Sequence, residues 1–485
     1  MGTRIANGDS RLSELSFWPR VREFAVPASM IETATVRRLA GDWAGACAAA
    51  GFDVDLNLRS LARDHGRELA GRVRDDLRCL APDLLRWHMP RIAPDGLLRP
   101  GLTLALAQYG GAGQGRGRPL YLVVRTPPAW ADAGQRISLA VWGGGGASAR
   151  GRPAAPHPHP RPHRRFRLDL HRHLWDVRRA GELRVRAGQG PSGDGRGGVN
   201  PGPVGDLPDD WRRFAVDRWA DEGLLLLRAE GRSTGAVVAR LGGRRRLVLE
   251  VGGGGGPRVV DHGGRPARSL PVLPDAATWV LPDLELLRDG AIEADRLHPL
   301  VAAALEPEAP QASVSGAALS AGRGGPTRLV ECRGARHRIG LVDGVLAPLD
   351  HEPEEIRREE LLAALTGTPL PCLQAIDEAH RHPECLPDVR ERLWHGDFTG
   401  ALAVVEGLLG PDAVLRDGAL RDELDAAAGR RVTYGLFRAG LVGPASAPGS
   451  GPGSVRHDGR GSRRSAGNRA RPRHATFPDP RRAAR

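Results

Sequence analysis

Lysine is missing from this chain: all 70 basic side chains among its 485 residues are arginine. Chemistry that needs an ε-amine has no place here, which excludes the Walker-A phosphate loop, the kinase strand lysine, Schiff-base catalysis and serine–lysine nucleophile pairs. Arginine stays protonated, so it contacts anions but does not act as nucleophile or base. Aromatic residues are only 4% of the chain, with three tyrosines against ten tryptophans. No apolar run reaches the roughly eighteen residues of a membrane span, and the N-terminal stretch lacks the apolar core and small-residue cleavage site of a secretory leader. The expected compartment is therefore the cytoplasm. Five cysteines, an odd number widely spread, read as reduced thiols. The G-x-S-x-G, H-E-x-x-H and EF-hand patterns are absent. The glycines at 110–118 lead into a strand-like run rather than a helix and read as a loop, so no cofactor is expected and an enzyme is not the first expectation.

What is present is a concentrated positive charge. The net charge is +13, yet residues 441–485 carry ten arginines against two acids, and residues 150–188 carry eleven against three, with five histidines besides. The rest is nearly neutral, and 351–440 is acidic, with 17 carboxylates against 10 arginines. The 441–485 segment is Arg, Gly, Ser and Pro with almost no apolar residue, so burial cannot offset the entropy of ordering and a disordered tail is expected. Such a tail suits phosphate contact without sequence preference, or folding back on the acidic region.

Periodicity predicts an α+β chain: a β-rich middle flanked by two small all-helical units. Residues 1–27 form an N-terminal extension. Ser29-x-x-Glu32 has capping-box spacing before a helix that ends at Gly41; Asp42 caps a second, a short extended piece follows, and a third covers roughly 59–80. Pro82 permits another turn or two before Pro90, making 28–92 a helical unit. The middle, 97–349, holds strand-like runs at 102–109, 119–125, 137–142, 166–170, 182–186, 223–230, 236–241 and 246–251, interrupted by a flexible His/Arg/Pro-rich segment at 143–165. A second cluster at 328–332, 337–342 and 345–349 reads as a meander, with Asp343-Gly344 as its two-residue turn. A helical stretch, 283–305, lies between the clusters. Helices return at 353–366, 371–382, 388–395, 398–409 and 418–439, making 351–440 a second helical unit.

The two helical units share a pattern. GDWAGA at 41–46 matches GDFTGA at 396–401, and RDDL at 74–77 matches RDEL at 421–424, with Trp87 and Tyr434 each ten residues beyond the leucine. A duplication accounts for these matches, and so does chance in a chain this rich in Ala, Arg, Leu, Asp and Gly.

Thiolate and imidazole suit zinc, which makes Cys372, His380, His382 and Cys385 a candidate metal cluster, although paired C-x₂-C spacing is lacking. His157, His159, His163, His171 and His173 are a second set, alternating with proline and arginine as in an extended linker. His337, Asp343 and His351 bracket the predicted meander and could supply a His–carboxylate pair for acid–base work; Asp261 and His262 sit in a Gly-rich loop. Trp211, Phe214 and Trp219 beside Arg212, Arg213 and Arg218 could stack bases, and Arg463 and Arg464 stand for the tail as phosphate contacts.

Several stretches, SFWPRVREFAVP (16–27), GDWAGA, LHPLVAAAL (297–305), ALTGTPLPCLQAIDEAHRHPECL (364–386) and TYGLFRAGL (433–441), resemble a family of high-GC actinobacterial proteins with no assigned activity. The resemblance implies no residue roles. The leading expectation is an interaction or scaffold protein that binds a protein partner through its helical units, with a basic tail and no membrane contact. The alternatives are a nucleic-acid-binding protein using the arginine-rich segments, and a hydrolase or metal-dependent enzyme.

Overall fold

The computed structural model describes residues 17–110, 119–132, 134–143, 157–189, 211–242, 245–252, 258–260, 269–307, 327–367 and 369–443. The tail beyond 443 and most of the 143–165 segment lie outside the described residues. Sheets occupy the middle of the chain and helices its two ends. No helix among the described residues is long and apolar enough to cross a membrane.

After a short helical stretch, Trp18–Arg20 continuing as Val21–Ala25, come α1 (Ala28–Leu39), α2 (Trp43–Ala49), α3 (Leu58–His65), α4 (Arg67–Cys79) and α5 (Pro82–Trp87). The predicted capping box does not form: α1 begins at Ala28 with Pro27 at the cap position, two residues before Ser29, and the Ser29 carbonyl accepts from the Thr33 hydroxyl instead. The extended piece between α2 and α3 is strand β1 (Phe52–Asp55), which pairs in parallel with β4 (Ile137–Gly143). With β2 (Thr103–Tyr109) and β3 (Leu120–Arg125) it makes a four-stranded sheet in the order β1-β4-β3-β2. The helices therefore share one core with the sheet, and Leu77, Leu85 and Trp87 are buried in the same cluster as Leu104, Leu122 and Leu139.

Two runs predicted as strands are helical. Residues 223–230 belong to α6 (Trp219–Ala229), which buries Trp219, Gly223, Leu226 and Leu227 on one face. Four consecutive leucines satisfy period 2 and period 3.6 equally, and Asp221 and Glu222 in the first turn favour the helix. Residues 183–186 form a single helical turn, and 166–170 makes only an isolated bridge between Ala105 and Arg167. Helix α6 packs on a second sheet, the meander β5 (Gly235–Arg240), β6 (Arg246–Val251) and β7 (Arg258–Val259). The 283–305 stretch contains two helices, α7 (Pro282–Arg288) and α8 (Pro299–Leu305).

The last region holds the meander β8 (Arg328–Cys332), β9 (Ala335–Val342) and β10 (Val345–Pro348), then α9 (Pro353–Thr366), α10 (Pro371–Arg381), α11 (Leu386–His395), α12 (Phe398–Leu409) and α13 (Ala419–Arg438). Asp343 and Gly344 both take positive φ, as the two-residue turn between β9 and β10 requires. Helix α13 docks on β1, where the Tyr434 hydroxyl donates to Asp53 and the Arg438 guanidinium pairs with Asp55. The buried Arg86 of α5 ties the N-terminal helices and the loop before β4 to α11. It donates to the carbonyls of Ala25 at 2.8 Å, Gln135 at 2.6 Å and His395 at 2.8 Å.

GDWAGA and GDFTGA fold alike. Asp42 and Asp397 each accept from the amide three residues on, at 2.8 and 2.9 Å, and each is also held by the arginine five residues before it. Further along the correspondence lapses: Trp87 sits on a separate short helix after Pro82, whereas Tyr434 continues the 20-residue α13.

Candidate metal centre

The hairpin between β8 and β9 turns at Arg333-Gly334, both with positive φ. Its register opposes Cys332 to Ala335 and Val330 to His337. Strand alternation and cross-strand pairing place Val330, Cys332, His337 and Ile339 on one face, and α10 covers that face. Cys372, the second residue of α10, is thereby brought to Cys332, and both are buried. The chain leaving β10 is turned by Asp350, whose carboxylate accepts from the Arg338 amide and guanidinium, each at 2.7 Å. This turn lays His351 over His337, with ring centroids 4.3 Å apart and the planes 25° from parallel.

Cys332, His351 and Cys372 each offer a ligand atom, and these three atoms lie within 4.8 Å of one another. Ligand atoms on a tetrahedral zinc stand about 3.3–3.8 Å apart, so small side-chain adjustments close the set. The His351 side chain is 3% exposed. Its Nδ1 faces the Glu355 carboxylate at 3.3 Å, which leaves Nε2 buried with no hydrogen-bond partner. Glu355 is fixed in turn by Arg333 at 3.0 Å. A carboxylate behind an imidazole whose other nitrogen is bare is how metal-bound histidines are oriented. His337 also has a buried, unpartnered Nδ1. Burial pushes the Cys372 thiol up to about 11, and the neighbouring Cys332 sulfur pushes the same way; a bound cation opposes both effects and favours the thiolate. Two thiolates and two neutral imidazoles would leave a dication electrically balanced in this buried place. Soft sulfur with imidazole selects zinc over calcium or magnesium.

The structure brings together residues that sequence reasoning assigned to different chemistries. His337 and His351, taken for acid–base work, meet Cys372, taken for metal. Asp343 does not join them; it is an exposed turn residue six positions beyond His337, about 20 Å along an extended strand. The set Cys372, His380, His382 and Cys385 is not assembled. His380 lies eight residues along α10, about 12 Å from Cys372; the side chain of His382 is 58% exposed beyond that helix, and Cys385 packs in the core between α11 and its neighbours. His157 contacts the Thr126 carbonyl and His171 pairs with Glu222, so the histidines of 157–173 serve separate local roles. Asp261, His262, Arg463 and Arg464 lie outside the described residues. Phe214 and Trp219 are spent in core packing, Arg212 is exposed, and the Trp211 side chain lies outside the description. Arg213 and Arg218 line a cavity open to one side.

Cys332 and Glu355 were not singled out from sequence. The available signal was the run Cys332-Arg-Gly-Ala-Arg-His337, in which a two-residue turn carries a cysteine and a histidine on one face of a hairpin. Comparison with known proteins found no match to a protein family, a curated protein or a solved structure.

Proposed function

We propose that this chain is an interaction protein whose 327–443 region is organised by a structural zinc ion bound to Cys332, His351, Cys372 and, after a small ring rotation, His337. The convergence of two buried cysteines on a buried imidazole with a bare nitrogen carries the reading. Four protein ligands leave no open position for substrate, as in structural zinc sites. His351 and Cys372 bracket α9, so the ion closes the loop that contains this helix. Helix α9 buries none of its residues, and Leu361 and Leu365 are 69% and 85% exposed. An apolar ridge on a metal-tied helix suits a protein partner. A reducing cytoplasm keeps the thiols available as ligands.

The test is elemental analysis of the full chain purified without a histidine tag. One zinc per chain is expected, lost in Cys332→Ser and Cys372→Ser, with faster amide exchange in α9 once the ion is removed. Absence of stoichiometric metal, or its retention in both serine variants, overturns the reading. His337→Ala separates it from the metal-dependent enzyme, which is favoured by the fact that, among the described residues, only three ligand atoms lie within 4.8 Å of one another. Undiminished zinc affinity in that variant means a three-ligand site with an open position. For the partner, Leu361→Glu with Leu365→Glu should abolish co-purification of a stoichiometric protein while zinc is kept; unchanged co-purification refutes α9 as the contact.

A further inference from the structure

Away from the metal centre, a cavity of about 410 Å³ lies between the end of α5, the 165–187 segment, the start of α6 and residues 275–285. Its volume is that of a small-molecule site. Part of its wall is flat and apolar, with Trp18, Trp87, Phe166 and Trp279 among the lining residues. The rest is cationic. Of the eight lining arginines, Arg22 is neutralised by Asp283, Arg165 by Asp275, Arg167 by Asp169 and Arg186 by Glu222, and Arg213 and the carboxylate of Glu285 line the cavity as well. Arg91, Arg99 and Arg218 have no ion-pair partner among the described residues. The guanidinium groups of Arg91 and Arg218 donate only to backbone carbonyls, and that of Arg99 donates to no described group.

Burial pushes all three guanidinium groups below their ordinary range; neighbouring arginines add to the effect, while Glu222 and Asp217 oppose it at Arg218 and Asp275 opposes it at Arg99. Three further nitrogens on lining residues have no partner: Arg91 Nε, His88 Nε2 and His173 Nδ1. Arg91 and His173 are more than nine-tenths buried. Burial, reinforced by nearby cations, keeps both imidazoles neutral, and each neutral imidazole retains one N–H. Arg91 is a buried cation without a counter-charge, which is costly, while Arg99 is exposed and Arg218 half-buried at the same cavity; this surplus of positive charge beside an indole is a place prepared for an anion.

We propose that this cavity binds a small organic anion with a flat apolar body, its carboxylate or phosphate head set against Arg91, Arg99 and Arg218 and its body against Trp279. The head group supplies the missing counter-charge, and the planar guanidinium groups can hold a carboxylate or phosphate in two-point contact.

Calorimetric titration of the full chain with 2-naphthoate, 2-naphthyl phosphate, neutral 2-naphthalenemethanol and inorganic phosphate tests this, at an ionic strength of about 0.15 M to suppress loose surface contacts. One saturable site is expected for at least one naphthyl anion, about tenfold or more tighter than for the neutral analogue or inorganic phosphate. The preferred anion identifies the head group. Arg99→Gln, at a side chain near the mouth that makes no internal bond, should fold normally and lose about tenfold in affinity; Arg421→Gln on α13 should lose none. No saturable binding, equal binding of the neutral compound, equal binding of inorganic phosphate, or full affinity in a folded Arg99→Gln protein overturns the proposal.

Discussion

Replacing Arg86 with methionine tests whether the chain behaves as one cooperative body. The guanidinium is 1% exposed and has no ion-pair partner among the described residues. Its charge is held by carbonyl dipoles: Ala25 at 2.8 Å, Gln135 at 2.6 Å, His395 at 2.8 Å and a long contact to Ala50 at 3.5 Å. Burial pulls its pKa down to about 10, with Arg136 adding to the fall and Asp132 opposing it, so the group stays charged at neutral pH. Each charge-assisted bond is worth about 1.5–3 kcal/mol, and three short ones set against the desolvation of the cation leave a net of about 3–5 kcal/mol for the whole group. Methionine keeps the apolar stem and leaves the carbonyls dry. Thermal unfolding followed by tryptophan fluorescence and far-UV circular dichroism should show a large fall in Tm. Because the His395 carbonyl belongs to α11 while the other acceptors belong to the first half of the chain, unfolding should also split into two phases. Arg86→Lys, which keeps the charge but cannot fork to all the carbonyls, should fall between. A methionine variant within about 1 kcal/mol of the parent, melting in the parent's single step, would show that water satisfies these carbonyls and that Arg86 does not couple the two halves.

Glu222 lies between His171 at 3.2 Å and Arg186 at 2.7 Å. Burial raises its pKa, but the hydrogen bonds and charge interactions with His171 and Arg186 outweigh that and bring it to about 2. Since the folded value lies below the unfolded one, the contribution is complete above about pH 4.5 and is lost as pH falls from there toward about 2, reaching at most about 3 kcal/mol. Glu222→Gln should therefore flatten the acid limb of a stability–pH profile, and an unchanged limb would refute the assignment. Gly400→Ala places a methyl group in the Asp397 carboxylate and against the Arg392 guanidinium, whereas Gly407→Ala, on the same helix, meets nothing within 4 Å. The first should destabilise by about 1–2 kcal/mol through loss of the cap, and the second should stabilise by up to about 1 kcal/mol. Thermal melts that gave the same sign for both would contradict the cap.

Local chemistry made the C-terminal helices legible. Pro353 and Pro371 occupy first helical positions, and Gly367 and Gly396 end α9 and α11 in the left-handed conformation that an L-residue with a Cβ avoids. Asp343-Gly344 specified its turn for the same reason. Where a run carried two readings, the tertiary environment chose between them. The leucines of 223–230 are helical because Trp219, four residues before the first buried member, needs the same core face. Strand β1 was legible as a short extended piece, but not its pairing, because its partner β4 comes more than eighty residues later.

The candidate site was legible residue by residue but not as a constellation. Cys332, His337, His351 and Cys372 are separated by four, 13 and 20 intervening residues. Only the first interval is local enough for spacing to carry information. The second depends on the β9–β10 turn and on the Asp350–Arg338 clasp, and the third on α10 lying across the meander. Each cysteine and histidine alone is therefore indistinguishable from a core thiol or a surface imidazole. What separates these residues from the other cysteines and histidines is a balance that exists only after folding: buried nitrogens without partners beside buried sulfurs without a disulfide. A fold that left those groups together with no ion would bear the cost of unsatisfied polar atoms in a core that Ile339, Leu370 and Ile376 already fill with hydrocarbon.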